Sequence, residues 1–173
     1  MPNSESANSY GIFGWNQDFH TQSTGQRIHV AAVCYRLKDG EPEFLLVRTR
    51  SGRWTFPKGG VDHDTTHAAA AAREAYEEAG VRGRIEHEPF HWYFHSKRQR
   101  FKPHRGVVAV QAHLCEVERL ESPLEGHRNP TWFNVDKAKR RLRENRSPKL
   151  AREVLEVVDR ALLRIRARAR RVA

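Results

Sequence analysis

Apolar residues occur first in short runs separated by turn residues, and later at helical spacing. Residues 28–37 form an apolar run rich in strand-forming residues, which the Lys-Asp-Gly segment 38–40 interrupts and residues 43–48 resume. Two such runs around a short polar turn predict a β-hairpin. Further strands are predicted over 81–96, 106–117 and 130–135, and a short extended piece follows the hairpin near Trp54 and Phe56.

Residues 66–79 have helical character. Five consecutive alanines at 68–72 are strong helix formers, Gly80 provides a stop, and Asp64, Thr65 and Thr66 offer side-chain oxygens for the amino-terminal cap. Residues 136–144 and 147–168 are also predicted to be helical, the latter with one apolar stripe. Strands around one central helix, with helices at the end, favour an α/β fold with a mixed sheet between helical layers.

Composition limits the class of protein. The chain has 173 residues, with 31 Lys and Arg against 21 Asp and Glu, so its formal net charge of +10 favours polyanionic partners. Cys34 and Cys115 lie in apolar runs, which predicts buried thiols and not a disulfide framework or zinc site. We expect a polar lead-in over 1–26 and one domain over 27–173. With no secretory signal or membrane-spanning run, a cytoplasmic location without membrane contact is expected.

An acidic cluster on the predicted central helix is the main candidate for chemistry. Glu74, Glu77 and Glu78 stand at i, i+3 and i+4, so their mutually repelling carboxylates share a face. Arg73 can reach Glu77, but one guanidinium does not neutralise three anions, whereas Mg²⁺ or Mn²⁺ suits oxygen-only ligands. A solvated acidic face is the alternative. The preceding Lys58-Gly59-Gly60 favours the metal, because its glycines admit a ligand close to the backbone and its lysine can bind phosphate.

These residues together resemble the Nudix hydrolase family, whose box is G-x5-E-x7-R-E-U-x-E-E-x-G-U with U apolar. The chain matches at Gly59, at Arg73 and Glu74, and from Glu77 through Val81, but Thr65 replaces the early glutamate. The resemblance implies an α/β/α sandwich with a mixed sheet and metal-assisted attack of water on a phosphorus atom of a diphosphate linkage. Thr65 is expected to cap the helix instead, with Asp62 or Asp64 supplying charge nearby.

The resemblance also implies roles for individual residues. Glu74 and Glu78 would be the principal ligands of Mg²⁺ or Mn²⁺, and Glu77 a ligand or the general base. Arg73 would orient the carboxylates, so the implied catalytic set is Arg73, Glu74 and Glu77. Members of the family often take another acidic ligand from a later loop, for which the sequence offers Glu116, Glu118, Glu121 and Glu125 without ranking them.

Substrate class is inferred from positive charge. A basic segment at 97–105 precedes a predicted strand, and its alternative interpretation is a solvated loop. Residues 54–60, together with His104 and Arg105 before the next apolar strand, resemble the branch that cleaves diphosphoinositol and diadenosine polyphosphates. RNA 5′-pyrophosphohydrolases are a near alternative, in which Trp92, Tyr93 or Phe101 would stack a base. A catalytically inactive module that binds nucleotide or RNA is a third possibility, although the intact glutamates disfavour it. The expected substrate-binding residues are Lys58, Gly59, Gly60, Arg98, Arg100, Lys102, His104 and Arg105.

Overall fold

A computed structural model describes residues 28–97 and 106–172. The described chain contains eight strands, three α-helices and one 3₁₀ turn. Their bounds are β1 His29–Lys38, β2 Glu41–Arg48, β3 Trp54–Thr55, β4 Lys58–Gly60, α1 His67–Ala79, β5 Val81–Ile85, β6 His91–Lys97, β7 Gly106–Leu120, the 3₁₀ turn Gly126–Arg128, β8 Thr131–Asn134, α2 Val135–Arg143 and α3 Pro148–Val172.

The strands form one mixed sheet. Its central path runs β3-β2-β1-β7-β5, while β4 pairs with β1, β6 with β7 and β8 with β2. The β1 and β7 strands are parallel, and every other pairing is antiparallel. The predicted hairpin of β1 and β2 is confirmed, with Asp39 and Gly40 at positive φ in its turn.

Both faces of the sheet are buried. Along β1, Val30, Ala32 and Cys34 face the layer that contains α1, whereas the alternate residues face the layer that contains α2 and α3. A strand covered on both faces needs apolar residues at successive positions, which explains the unbroken apolar stretch at 30–35. The expected α/β/α sandwich with a mixed sheet is confirmed. Both cysteines are buried free thiols.

Several boundaries differ from the predictions. The stretch predicted as strand over 81–96 is divided into β5 and β6, and β7 extends to Leu120. Of the three candidate caps of α1, Thr66 is the one used, and the expectation for Thr65 was wrong: the hydroxyl of Thr66 accepts from the amide of Ala69 at 3.2 Å. Gly80 ends the helix at φ 66° as expected. The lead-in over 1–26 lies outside the described residues, and no helix within the described ranges has the length and apolar character for a membrane span.

Candidate functional site

Two neighbouring elements bring the acidic residues and the glycine segment together. Strand β4 pairs with β1 through Gly60, Gly59 and Lys58, and α1 packs against it from the helical layer. As a result, the Lys58 amide donates to Oε2 of Glu78 at 3.2 Å, although 20 positions separate the two residues. The sequence motif therefore corresponds to one compact structural unit.

Glu78 is the buried acid of the site. Its side chain is only 3% exposed, and Arg128 approaches Oε1 at 2.7 Å. Burial raises the pKa of Glu78 to about 7. The positive charges of Arg128 and Lys58, and the hydrogen bond from the Lys58 backbone amide, lower this pKa but do not cancel the effect of burial. A buried carboxylate that remains partly charged requires a cation beside it.

The carboxylate of Glu74 occupies the space that a side chain at position 59 would need. A side-chain carbon at position 59 would overlap with the carboxyl carbon and both oxygens of Glu74, so the carboxylate lies directly over the glycine backbone. Burial and the nearby charge of Glu77 raise the pKa of Glu74. Gly60 has open space at the corresponding position. The prediction that the glycines allow close approach is thereby refined: at Gly59 the approaching group is a carboxylate of this chain.

Arg73 connects the glycine segment to the helix. Its guanidinium donates to Asp62 at 2.6 Å and to the carbonyl of Gly60 at 3.5 Å, while Glu77 is 3.9 Å away. The expected contact with Glu77 is therefore the longest of the three. Asp62, which together with Asp64 was expected to supply negative charge near Thr65, forms an ion pair with Arg73. This pair joins the segment before the helix to the middle of α1.

Arg128 and Glu125 complete the acidic centre from the 3₁₀ turn. Arg128 contacts Glu78 with one nitrogen and Glu125 with another, at 2.7 and 2.5 Å. The amide of Glu125 donates to the carbonyl of Glu77 at 2.8 Å, which holds the turn against α1. The sequence offered Glu125 only as one of four acids, and it gave no signal for Arg128, whose position depends on packing between distant segments.

The other later acids occupy different surroundings. Glu116 and Glu118 pair with Arg84, and Glu121 pairs with Arg82 and Arg119. Only Glu125 among the four candidates shares a partner with a box glutamate, and its charge contributes to the raised pKa of Glu74. Proximity therefore favours Glu125.

The donor set suits a hard divalent cation, although it is not preassembled. In residues 28–97 and 106–172, no three His, Cys, Asp or Glu side chains are arranged to hold a metal ion. The carboxylates of the acidic centre are nevertheless close to one another: the charges of Glu77 and Glu125 raise the pKa of Glu74, and the charge of Glu74 raises that of Glu78. Oxygen is also the ligand that Mg²⁺ and Mn²⁺ prefer. The guanidinium of Arg128 occupies one coordinating edge of Glu78, so a bound ion would have to displace or share it.

A second group of cations lies beside the glycine segment. The cations Arg53 and Arg146 line one cavity together with the neutral imidazole of His95. Burial first, and then the neighbouring positive charges, lower the pKa values of His95 and Arg146. Burial lowers the pKa of Lys58 to about 8, with Arg146 and Arg53 among the further causes. Sequence reasoning missed this group because its members come from a loop, a strand and the linker between α2 and α3.

The predicted substrate residues divide into two sets. Lys58, Gly59 and Gly60 lie at the acidic centre, as expected. The basic residues Arg98, Arg100, Lys102, His104 and Arg105 lie outside the described residues, and so does Phe101. Of the aromatics considered for stacking, Tyr93 is a core residue at 3% exposure, whereas Trp92 is 44% exposed.

Comparisons with known proteins agree with this geometry. The chain is 36% identical over 137 residues to Nudix hydrolase 17, mitochondrial, of Arabidopsis thaliana, covering 74% of this chain and 73% of that protein. It is 32% identical over 125 residues to diphosphoinositol polyphosphate phosphohydrolase 3-beta of Homo sapiens, covering 71% and 73%. The structure of a C. elegans Ap4A hydrolase binary complex has the same fold, with a TM-score of 0.58 at 20% identity over 82% of this chain and 98% of that chain. The NUDIX domain model matches residues 27–154, and the chain therefore belongs to the Nudix hydrolases, enzymes that act on phosphorus-containing acid anhydrides.

Proposed function

We propose that this enzyme uses Mg²⁺ or Mn²⁺ to hydrolyse a diphosphate linkage in a densely anionic substrate of the inositol-polyphosphate or dinucleoside-polyphosphate type. One observation carries the proposal. The buried carboxylate of Glu78 and the carboxylate of Glu74 converge on Lys58 and Gly59, so metal-binding oxygens and a phosphate-binding segment occupy the same place.

Within this proposal, Glu74 and Glu78 hold the metal, and Glu125 is the favoured additional ligand. Once bound, the metal would lower the pKa of the attacking water and neutralise charge on the phosphate. Glu77 is half-exposed on the same helix, which leaves it able to accept a proton from water. Arg73 holds the segment in register through Asp62, and Lys58 supplies positive charge to the substrate.

Arg128 has two successive partners in the proposed cycle. Without metal it neutralises Glu78 and Glu125. Glu78 and Glu125 would hold the divalent ion in place of Arg128, and the released guanidinium would be able to donate to two oxygens of one phosphate group. Arg128 would then present its positive charge to the substrate phosphates, while the ion would compensate the carboxylates of Glu78 and Glu125.

Charge favours the polyphosphate class. The chain carries a net charge of +10, and the described part places the cations Arg53, Lys58 and Arg146 next to the acidic centre. Several phosphates on one substrate would use more of these groups than a single diphosphate would. The human relative is named for diphosphoinositol polyphosphates. A cytoplasmic location is part of the proposal, although the plant relative is named as mitochondrial.

A substrate panel with and without metal tests the proposal. Inositol pyrophosphates, diadenosine polyphosphates, ADP-ribose, nucleoside triphosphates and 5′-triphosphorylated RNA should be compared for phosphate or nucleotide release. We expect release only with Mg²⁺ or Mn²⁺, and fastest from the first two classes. Preference for the RNA would support the 5′-pyrophosphohydrolase alternative, and thermal stabilisation by ligands without turnover would support a binding module.

Substitution of Glu78 tests whether its carboxylate is needed for turnover. Glu78→Gln should keep the fold but lose most of its turnover, because a neutral amide binds a divalent ion poorly. Glu88→Gln, at an 80% exposed position, is the matched control and should behave as wild type. Wild-type turnover in Glu78→Gln would contradict the metal assignment.

A further inference from the structure

A cavity beside the acidic centre has an unusual charge balance. It lies between the loop before β3, strand β6, the linker from α2 to α3 and the first turns of α3. Arg53, His95 and Arg146 line it together with Tyr93. None of the residues lining it carries a carboxylate. Cationic walls without an acidic partner attract an anion.

The arginines have no acidic partner within the described chain. Arg146 donates to the carbonyls of Trp54, at 2.8 Å, and of Leu142, which are neutral acceptors that leave its positive charge uncompensated. For Arg53, none of the carboxylates in 28–97 and 106–172 lies within ion-pair distance. Burial, followed by repulsion from Lys58, Arg53 and Arg146, lowers the pKa of His95 to about 3. The neutral imidazole therefore serves as a hydrogen-bonding group, not as a fourth cation.

Tyr93 adds a polar group that lacks a partner. Its hydroxyl is buried and makes no hydrogen bond with any residue that the structure describes. Burial raises the pKa of this hydroxyl, and the charges of Arg146 in the cavity wall and of Glu78 in the acidic centre also act on it, Arg146 lowering the pKa and Glu78 raising it. A buried hydroxyl without a partner is costly, so a bound group that accepts a hydrogen bond from Tyr93 would remove that cost.

We propose that this cavity is a second anion subsite, which accepts an oxygen of a phosphoryl group that is not the group under attack at Glu78. This inference rests on the proposed function, and it assigns the binding of a further phosphoryl group of the same substrate to the cavity. The recess has room for about one water-sized group, so a single phosphoryl oxygen enters it while the phosphorus stays at the mouth. Tyr93 would donate to that oxygen, and Arg53 and Arg146 would neutralise its charge.

A purely structural account makes a different prediction. If Arg146 only holds the end of α2 against β3, and a water molecule fills the recess, then Tyr93→Phe should change no property that depends on phosphate. The substitution removes one oxygen and keeps the ring, and it relieves an unpartnered hydroxyl. Its folded state should therefore be as stable as wild type or more so under both accounts.

The first experiment measures binding without turnover. Calorimetric titration of inorganic phosphate and of pyrophosphate into metal-free protein in EDTA compares wild type, Tyr93→Phe and Arg53→Gln. Arg140→Gln is the control for net charge, because Arg140 is exposed on α2 and away from the cavity wall. We expect Kd to rise about 10-fold in the two cavity variants, the value of one hydrogen bond to a charged group. Equal Kd values in all four proteins would overturn the subsite.

The second experiment separates a substrate phosphate from a free anion. KM should rise in Tyr93→Phe for an inositol pyrophosphate and stay unchanged for ADP-ribose, which has no phosphate beyond its diphosphate. If phosphate binding weakens but neither KM changes, the cavity binds a free anion and the substrate assignment is wrong. Should no substrate be hydrolysed at all, the proposed function fails, and the calorimetric comparison still decides whether the subsite exists.

Discussion

Arg128→Ala tests the idea that a guanidinium stands in for a metal ion at Glu78. The wild-type ion pair joins a carboxylate that is 3% exposed to a guanidinium that is 19% exposed. Removal of one partner from such a pair leaves an uncompensated buried charge, which is among the more destabilising changes a protein can undergo. The matched surface control is Arg84→Ala, since Arg84 is 67% exposed and pairs with Glu116 and Glu118.

The magnitude depends on pH because Glu78 can avoid the charge by binding a proton. Its pKa is about 7 in the folded protein against an ordinary value of 4.5, so the folded state binds this proton more tightly than the unfolded state does. Stability from this group is therefore fully present below about pH 4.5 and is lost as pH rises through about 7. Without Arg128 the pKa rises further, and the loss continues to higher pH at no more than about 1.4 kcal/mol per pH unit.

The expected loss of unfolding free energy in Arg128→Ala differs between acidic and alkaline pH. Near pH 5, where Glu78 is neutral in both proteins, Arg128→Ala should cost less than about 1 kcal/mol, mainly from the lost contact with Glu125. Near pH 8.5 the cost should reach about 2 kcal/mol, limited by proton uptake. The exposed control should cost less than about 1 kcal/mol at both pH values.

Urea unfolding followed by tryptophan fluorescence in EDTA provides the assay, and the chain has four tryptophans. Excess Mg²⁺ should then restore part of the stability of Arg128→Ala at the higher pH, because the ion binds the carboxylates that the arginine left. A loss of stability that is the same at both pH values would refute the reasoning, since the charge of Glu78 would then not be its cause.

Two further substitutions test other parts of the site. Gly59→Ala should reduce turnover strongly while the protein unfolds at nearly the wild-type urea concentration, because the new methyl group displaces the flexible carboxylate of Glu74; normal turnover would show that Glu74 need not lie there. His95→Gln should resist acid better than wild type, since His95 has a folded pKa lowered to about 3, and its contribution to stability is lost as pH falls below about 6.5. The difference near pH 4.5 should be about 1–2 kcal/mol by urea unfolding, and identical acid sensitivity would contradict it.

Local features of the chain determined its elements well. The alanine run and Gly80 specify α1 because helix propensity and left-handed backbone are properties of single residues. The continuous apolar run of β1 indicates a strand covered on both faces. Prediction failed at Thr65 because several neighbouring oxygens can cap a helix, and the choice of Thr66 depends on how the preceding turn leaves β4.

By itself, the sequence determined that three glutamates share a helix face and that a glycine segment precedes them, since the spacing of residues fixes both. Which cations surround those glutamates was decided only by the tertiary structure. Arg128 reaches Glu78 across 50 positions, and Arg146 reaches Trp54 across 92. Such partners leave no local pattern, because the free energy of pairing depends on burial and distance in the folded chain and not on separation along it.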